Sequence, residues 1–94
     1  MRLVGKKQLD DFGRRHADVR ASLDAWILEA EEAEWRSSAD IKARFPSASF
    51  LSDNRVIFNI RGNKYRLEVK ISYEVKVVLI GWIGTHAEYS KKQF

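Results

Sequence analysis

The sequence predicts an α+β domain in which N-terminal helices pack on one face of a small, mostly antiparallel sheet. Three observations lead there. Up to about residue 45 the apolar residues recur at spacings of three and four, the helical period. After Pro46, the only proline, the period changes to two, that of a strand with one covered face. At 94 residues the chain has room for one hydrophobic core, so residues 1–94 are read as one domain.

The elements follow in order. Residues 2–4 (Arg-Leu-Val) read as a short opening strand. Leu9 and Phe12, three apart, suit a short helix from Lys6 to about Arg15. Asp18 is placed to cap the next helix. There Val19, Leu23, Trp26, Ile27, Ala30 and Ala33 share one face, while Asp24, Glu29, Glu31, Glu32 and Glu34 decorate the rest. Ser37-Ser38-Ala39-Asp40 opens a third short helix through Phe45, which Pro46 stops. In residues 55–61, Val56, Phe58 and Ile60 alternate with Ile57, Asn59 and Arg61, and Gly62-Asn63 is a turn signal. From Lys64 to Tyr73 the alternation is clearest: Tyr65, Leu67, Val69, Ile71 and Tyr73 point one way, Lys64, Arg66, Glu68, Lys70 and Ser72 the other. A turn near Glu74-Val75 leads into Lys76–Thr85. This run is apolar on both faces, with Val77, Leu79 and Ile83 against Val78, Ile80 and Trp82, and is expected to be the central strand.

Composition narrows the function. Hydrophobic residues make up 45% and charged residues 32%, ordinary for a folded domain. With no cysteine there are neither disulfides nor thiolate metal sites. The start of the chain turns polar at once, and no apolar stretch approaches a membrane span, so a cytoplasmic protein is expected. The two histidines are far apart, and HExxH, a nucleophilic serine elbow and GxxxxGK[ST] are missing; neither a metal nor a cofactor is expected. The net charge of +4 is unevenly spread. Residues 55–94 hold eight basic side chains against three acidic ones, so the whole excess lies there. Such a distribution suits a polyanion-binding face, and equally an ordinary solvated surface.

Two segments carry the chemistry. Alternation puts Arg61, Lys64 and Arg66 near one hairpin on the helix-free face of the sheet. Arginine there can hold a phosphate through two N–H groups, and lysine acts as a point charge. A wet, charged sheet face accounts for the same pattern, and for Lys70 better. His86 stands where the buried strand ends, flanked by Thr85, Glu88 and Tyr89. Imidazole titrates near neutrality, so His86, with Tyr89, is the candidate for proton transfer, and Glu88 reads as a surface carboxylate. His16 reads as an exposed polar residue. Core packing accounts for Trp26 and Trp35, and for Trp82 better than base stacking does.

Phe45-Pro46-Ser47-Ala48, Val56-Ile57-Phe58-Asn59-Ile60, Gly62-Asn63-Lys64-Tyr65-Arg66-Leu67 and Gly84-Thr85-His86-Ala87-Glu88-Tyr89-Ser90-Lys91, after a helix-rich first half, resemble the HigB family of type II toxins within the RelE-like superfamily. Ser90 stands where that family often has Asp. The resemblance implies a RelE-like fold and a metal-independent, ribosome-associated mRNA interferase that inhibits translation. It also implies a helix-turn-helix, HigA-like antitoxin through which the toxin reaches operator DNA. By position in the motifs, Arg66, His86, Tyr89 and Lys64 would be catalytic. Arg61, Asn63, Lys64, Arg66 and Lys91 would bind RNA phosphate. Such residues suit a reaction in which the ribose 2′-OH attacks the adjacent phosphorus. A non-catalytic RNA-binding module and a small domain docking an acidic partner use the same basic face.

Overall fold

A computed structural model describes residues 1–92. The strands are β1 (Arg2–Val4), β2 (Ser49–Phe50), β3 (Arg55–Ile60), β4 (Tyr65–Ser72) and β5 (Val77–Thr85). The helices are α1 (Lys6–Arg15), α2 (Arg20–Glu32), α3 (Ser38–Arg44) and α4 (His86–Lys91), with a 3-10 turn, Ala17–Val19, between α1 and α2. The five strands lie in the order β1-β5-β4-β3-β2, and only β1 with β5 is parallel. The expected α+β fold is what forms. Gly5, at φ 98°, reverses the chain between β1 and α1, a left-handed conformation that glycine adopts without strain.

The first three helices cover one face. Leu9, Val19, Leu23 and Ala30 from this layer and Phe58, Leu67, Val69 and Val78 from the sheet are at most 1% exposed. Phe58 sits at the centre, its ring 5.3 Å from Trp26, 6.0 Å from Trp35 and 5.1 Å from Phe45. Trp26 and Trp35 are thus core residues, as their spacing suggests. Ile57, on the other side of β3, is also buried, but outside this cluster.

Three expectations are corrected, and two further elements are present. The middle strand is β4, not β5. Asp18 does not cap α2: Val19 holds the cap position with no side-chain bond, and Asp18 lies in the preceding 3-10 turn. The edge strand β2 and the helix α4 were not anticipated; β2 has two residues, too few for any period to show. The faces of β5 do not alternate straight through. Glu68 pairs with Trp82 and Val69 with Ile80, so Gly81 is an extra residue, a β-bulge. A bulge shifts side-chain parity by one. Val78 and Ile80 before it and Ile83 after it therefore all join the core, and Trp82 is turned to the uncovered face. A Cβ at position 81 would displace the Glu68 carboxylate, which lies over the glycine.

Candidate active site

The site lies at one end of the sheet, where the β3–β4 turn, the last residues of β5 and α4 meet. The turn is formed by Arg61 and Gly62, both with left-handed backbones at φ 54° and 65°, followed by Asn63 and Lys64. β3 consequently ends at Ile60, one residue short of expectation.

Arg66, on the uncovered face of β4 beneath α4, is 9% exposed and is the one buried charged residue among those described. Its Nη1 donates to the Asn63 carbonyl (3.0 Å), and more weakly to that of Tyr65 (3.4 Å), while Nη2 donates to Asn63 Oδ1 (2.7 Å). The guanidinium carbon lies 5.6 Å from the centre of the Tyr89 ring. Among the described residues Arg66 takes part in no ion pair. A buried charge is costly unless something compensates it. Here neutral carbonyls and an aromatic face hold the cation in place, and a guanidinium has five N–H donors, so Nε and part of Nη2 remain for an anion.

Tyr89 is positioned by α4, and α4 by a reciprocal cap. Thr85 Oγ1 accepts from the Glu88 backbone N–H (3.2 Å), and Glu88 Oε1 accepts from the Thr85 N–H (2.8 Å). This is a capping box, for which Thr-x-x-Glu is the sequence signature. That signal was present at Thr85–Glu88 and would have revealed α4. The Thr85 N–H holds the Glu88 carboxyl below its usual pKa, so Glu88 is a bound carboxylate that anchors the helix. Trp82 lies beside Tyr89, with ring centres 6.4 Å apart, and its indole covers Gly84, where a Cβ would overlap it. The Lys92 ammonium sits 5.3 Å from the Trp82 ring centre. Trp82 thus belongs to the site's wall rather than to the core, because of the bulge at Gly81.

His86 opens α4. Its backbone N–H donates to the Lys64 carbonyl (3.0 Å), tying α4 to the turn. Its side chain is exposed, as is that of Lys91 in the last turn of the helix. His86 and Tyr89, three apart in α4, are neighbours on the helix surface.

The expected convergence of Arg61, Lys64 and Arg66 on one face is corrected. Arg61 Nη1 and Lys64 Nζ both reach Asp18 Oδ2 at 2.8 Å, on the helix side of the turn. Tyr65 Oη, from the covered face of β4, donates to Asp18 Oδ1 (2.7 Å). The bonds from Lys64 and Tyr65 lower the Asp18 pKa to about 2. The accepted bond in turn raises that of Tyr65, since ionising the phenol would set it against the carboxylate. The structure therefore gathers Asn63, Arg66, Trp82 and Tyr89 on one side of the turn and Arg61 with Lys64 on the other. Asp18 had no periodic or motif signal for this role. His16 is not a free polar residue: it stacks on Phe12 at 4.3 Å and meets the edge of Tyr65 at 5.7 Å.

Among the described residues no helix is long and apolar enough to cross a membrane. Residues 19–92 match the HigB toxin family model, described as the RelE-like toxic component of a toxin-antitoxin system. The chain is 26% identical over 91 residues to the mRNA interferase toxin HigB of Escherichia coli K12, covering 95% of this chain and 88% of that protein. The mRNA interferases HigB of Escherichia coli O157:H7 and Shigella flexneri align to the same extent.

Proposed function

As the chain belongs to the HigB family of RelE-like toxins, the toxic components of toxin-antitoxin systems, we propose that it cleaves messenger RNA at the Arg66–Tyr89 site, on translating ribosomes in the cytoplasm. The observation that carries this reading is Arg66. A buried guanidinium with no carboxylate partner among the described residues, fixed by Asn63 and backed by Tyr89, suits a phosphate.

The chemistry follows from the groups at hand. The scissile phosphate accepts from the remaining N–H groups of Arg66, which offset the charge that builds on its oxygens. One proton-carrying group removes the proton from the ribose 2′-OH, whose oxygen attacks the adjacent phosphorus. A second gives a proton to the departing 5′-oxygen. The products are a 2′,3′-cyclic phosphate and a 5′-hydroxyl. His86 and Tyr89, neighbours on α4, serve as this pair. Asn63 orients Arg66; Lys64, Arg61 and Lys91 supply further positive charge along the RNA backbone. DNA, lacking the 2′-OH, is not cut. A helix-turn-helix, HigA-like antitoxin neutralises the toxin and carries it to operator DNA.

The test is induced expression in growing bacteria of the wild type, His86→Ala and Arg66→Ala, scoring growth and mRNA 5′ ends. Growth arrest with new 5′ ends inside translated messages, lost in both variants, is expected. Soluble wild-type protein without arrest or new ends would overturn the ribonuclease reading.

A further inference from the structure

Stability explains the contacts of Asp18 only in part. Exposed ion pairs contribute little to folding, and the side chains of Asp18, Arg61 and Lys64 are 35%, 45% and 57% exposed. Yet Arg61 and Lys64 converge on the same oxygen, Oδ2, while Tyr65 bonds the other. One carboxylate thus sits between two cations as an anionic ligand would, and a net positive charge remains. Arg61 reaches it from a left-handed backbone that residues other than glycine rarely adopt.

We propose that Arg61 and Lys64 form a second phosphate subsite, for the RNA phosphate adjoining the one held at Arg66, and that the Asp18 carboxylate occupies it until RNA binds. The inference rests on RNA being the ligand of the Arg66 site. The two subsites share one turn. Asn63, between Gly62 and Lys64, is the residue that fixes Arg66. Lys64 closes the turn and Arg66 lies two positions further on in β4, so the two subsites are neighbours along the chain on opposite sides of the turn. RNA passing round the end of the sheet would meet Arg66 on the uncovered side and Arg61 with Lys64 on the helix side. Binding exchanges one anion for another, and Asp18 keeps the bond from Tyr65. The device lets the toxin carry a strong phosphate grip that is masked in its absence.

The decisive variant is Asp18→Asn, which keeps the shape and an acceptor for Tyr65 but removes the charge. The probes are a 2′-O-methyl RNA oligonucleotide, which cannot be cut, and inorganic tripolyphosphate. The variant should bind both about fivefold more tightly, the size of an exposed charge interaction. The slope of log affinity against log salt for the oligonucleotide should steepen by about 0.7. Adding Arg61→Ala should abolish the gain. Unchanged or weaker binding by the folded variant would overturn the proposal. Should Asp18→Asn not fold, Arg61→Ala with Lys64→Ala replaces it. That pair should weaken binding and flatten the slope by about 0.7, and an unchanged slope would overturn the proposal. The two readings fail separately. Tighter tripolyphosphate binding in Asp18→Asn, with a wild type that cuts no RNA, sinks the ribonuclease and leaves the masked subsite standing. RNA cleavage by the wild type with no gain in Asp18→Asn does the reverse.

Discussion

Replacing Arg66 by methionine separates the two things the residue does. Methionine replaces the unbranched stem, lacks the guanidinium end and carries no charge. Arg66 donates two well-formed bonds, to the Asn63 carbonyl and side chain, and a longer one to Tyr65. A bond involving a charged group contributes about 1.5–3 kcal/mol, so the two good ones are worth roughly 3–6 kcal/mol. Against them stands the penalty for holding an uncompensated charge at 9% exposure, several kcal/mol per ion. The Asn63 acceptors that are vacated lie at an exposed turn, where water replaces the donor. The opposing quantities nearly cancel, so stability should change by no more than about 1 kcal/mol, or about 4–8 °C in Tm for a domain of this size. Activity has no such compensation. Losing a donor aimed at the charge of the transition state costs about 10²–10³ in rate. The assay pairs thermal unfolding by circular dichroism with cleavage of a defined message in a translating extract. Arg66→Lys should be nearly as inactive, since an ammonium cannot reproduce the planar fork. Cleavage within about threefold of wild type would refute the assignment, because so small a change, under 1 kcal/mol, is below any transition-state role. So would a Tm loss above about 15 °C, which would make Arg66 a structural strut.

Three further outcomes are expected. Gly84→Ala pushes a methyl into the Trp82 indole and to 3.0 Å from Glu88 Oε1; it should cost about 1–3 kcal/mol and lower cleavage, and a neutral result in both would show that the Trp82 wall yields freely. Glu88→Ala removes half of the capping box and should cost about 0.3–1.5 kcal/mol with reduced cleavage, whereas Glu88→Gln, which still accepts from Thr85, should retain most activity; equal loss in both would give the carboxylate a chemical role. Asp18 is held at about 2 against an ordinary 3.8, so its ionised form favours the folded state. That contribution is complete above pH 3.8 and disappears as pH falls toward about 2. Chemical denaturation across this range should show a shallower pH dependence in Asp18→Asn than in the wild type, and identical slopes would refute the linkage.

What the sequence disclosed depended on whether one local pattern decided the outcome. α1 was legible from two apolar residues, and α2 from its buried stripe of Leu23, Trp26 and Ala30, because amphipathic spacing and helix burial are the same fact seen twice. β3 and β4 followed from period two. β5 was harder. Its apolar run identified a strand, but which side each residue faces turned on a single unpaired glycine, and Gly81 carries no mark distinguishing a bulge from an ordinary strand residue. Trp82 was therefore expected to share a face with Val78 and Ile80, and instead stands beside Tyr89. α4 has only the Thr85-x-x-Glu88 capping signature to announce it, with no apolar stripe beside it. Of the candidate site, Asn63, Arg66 and Tyr89 come together from adjacent motifs. Arg61 and Lys64 are drawn elsewhere by Asp18, more than forty positions earlier, a partnership that only the packed chain reveals.

The parallel pairing of β1 with β5 has a consequence in time. Leu3 lies opposite Val78, so this contact closes a loop that contains nearly every other element, and closing long loops is entropically late work. β3, β4 and β5 are joined by short turns and can zip as a meander without it. Asn63, Arg66 and Trp82 all belong to that meander. This part of the candidate site therefore takes shape in the quick, locally connected part of the chain. β1 is synthesised before every other described element and must wait for β5, and until it docks, the outer edge of β5 stands open to pairing with any extended strand that reaches it first.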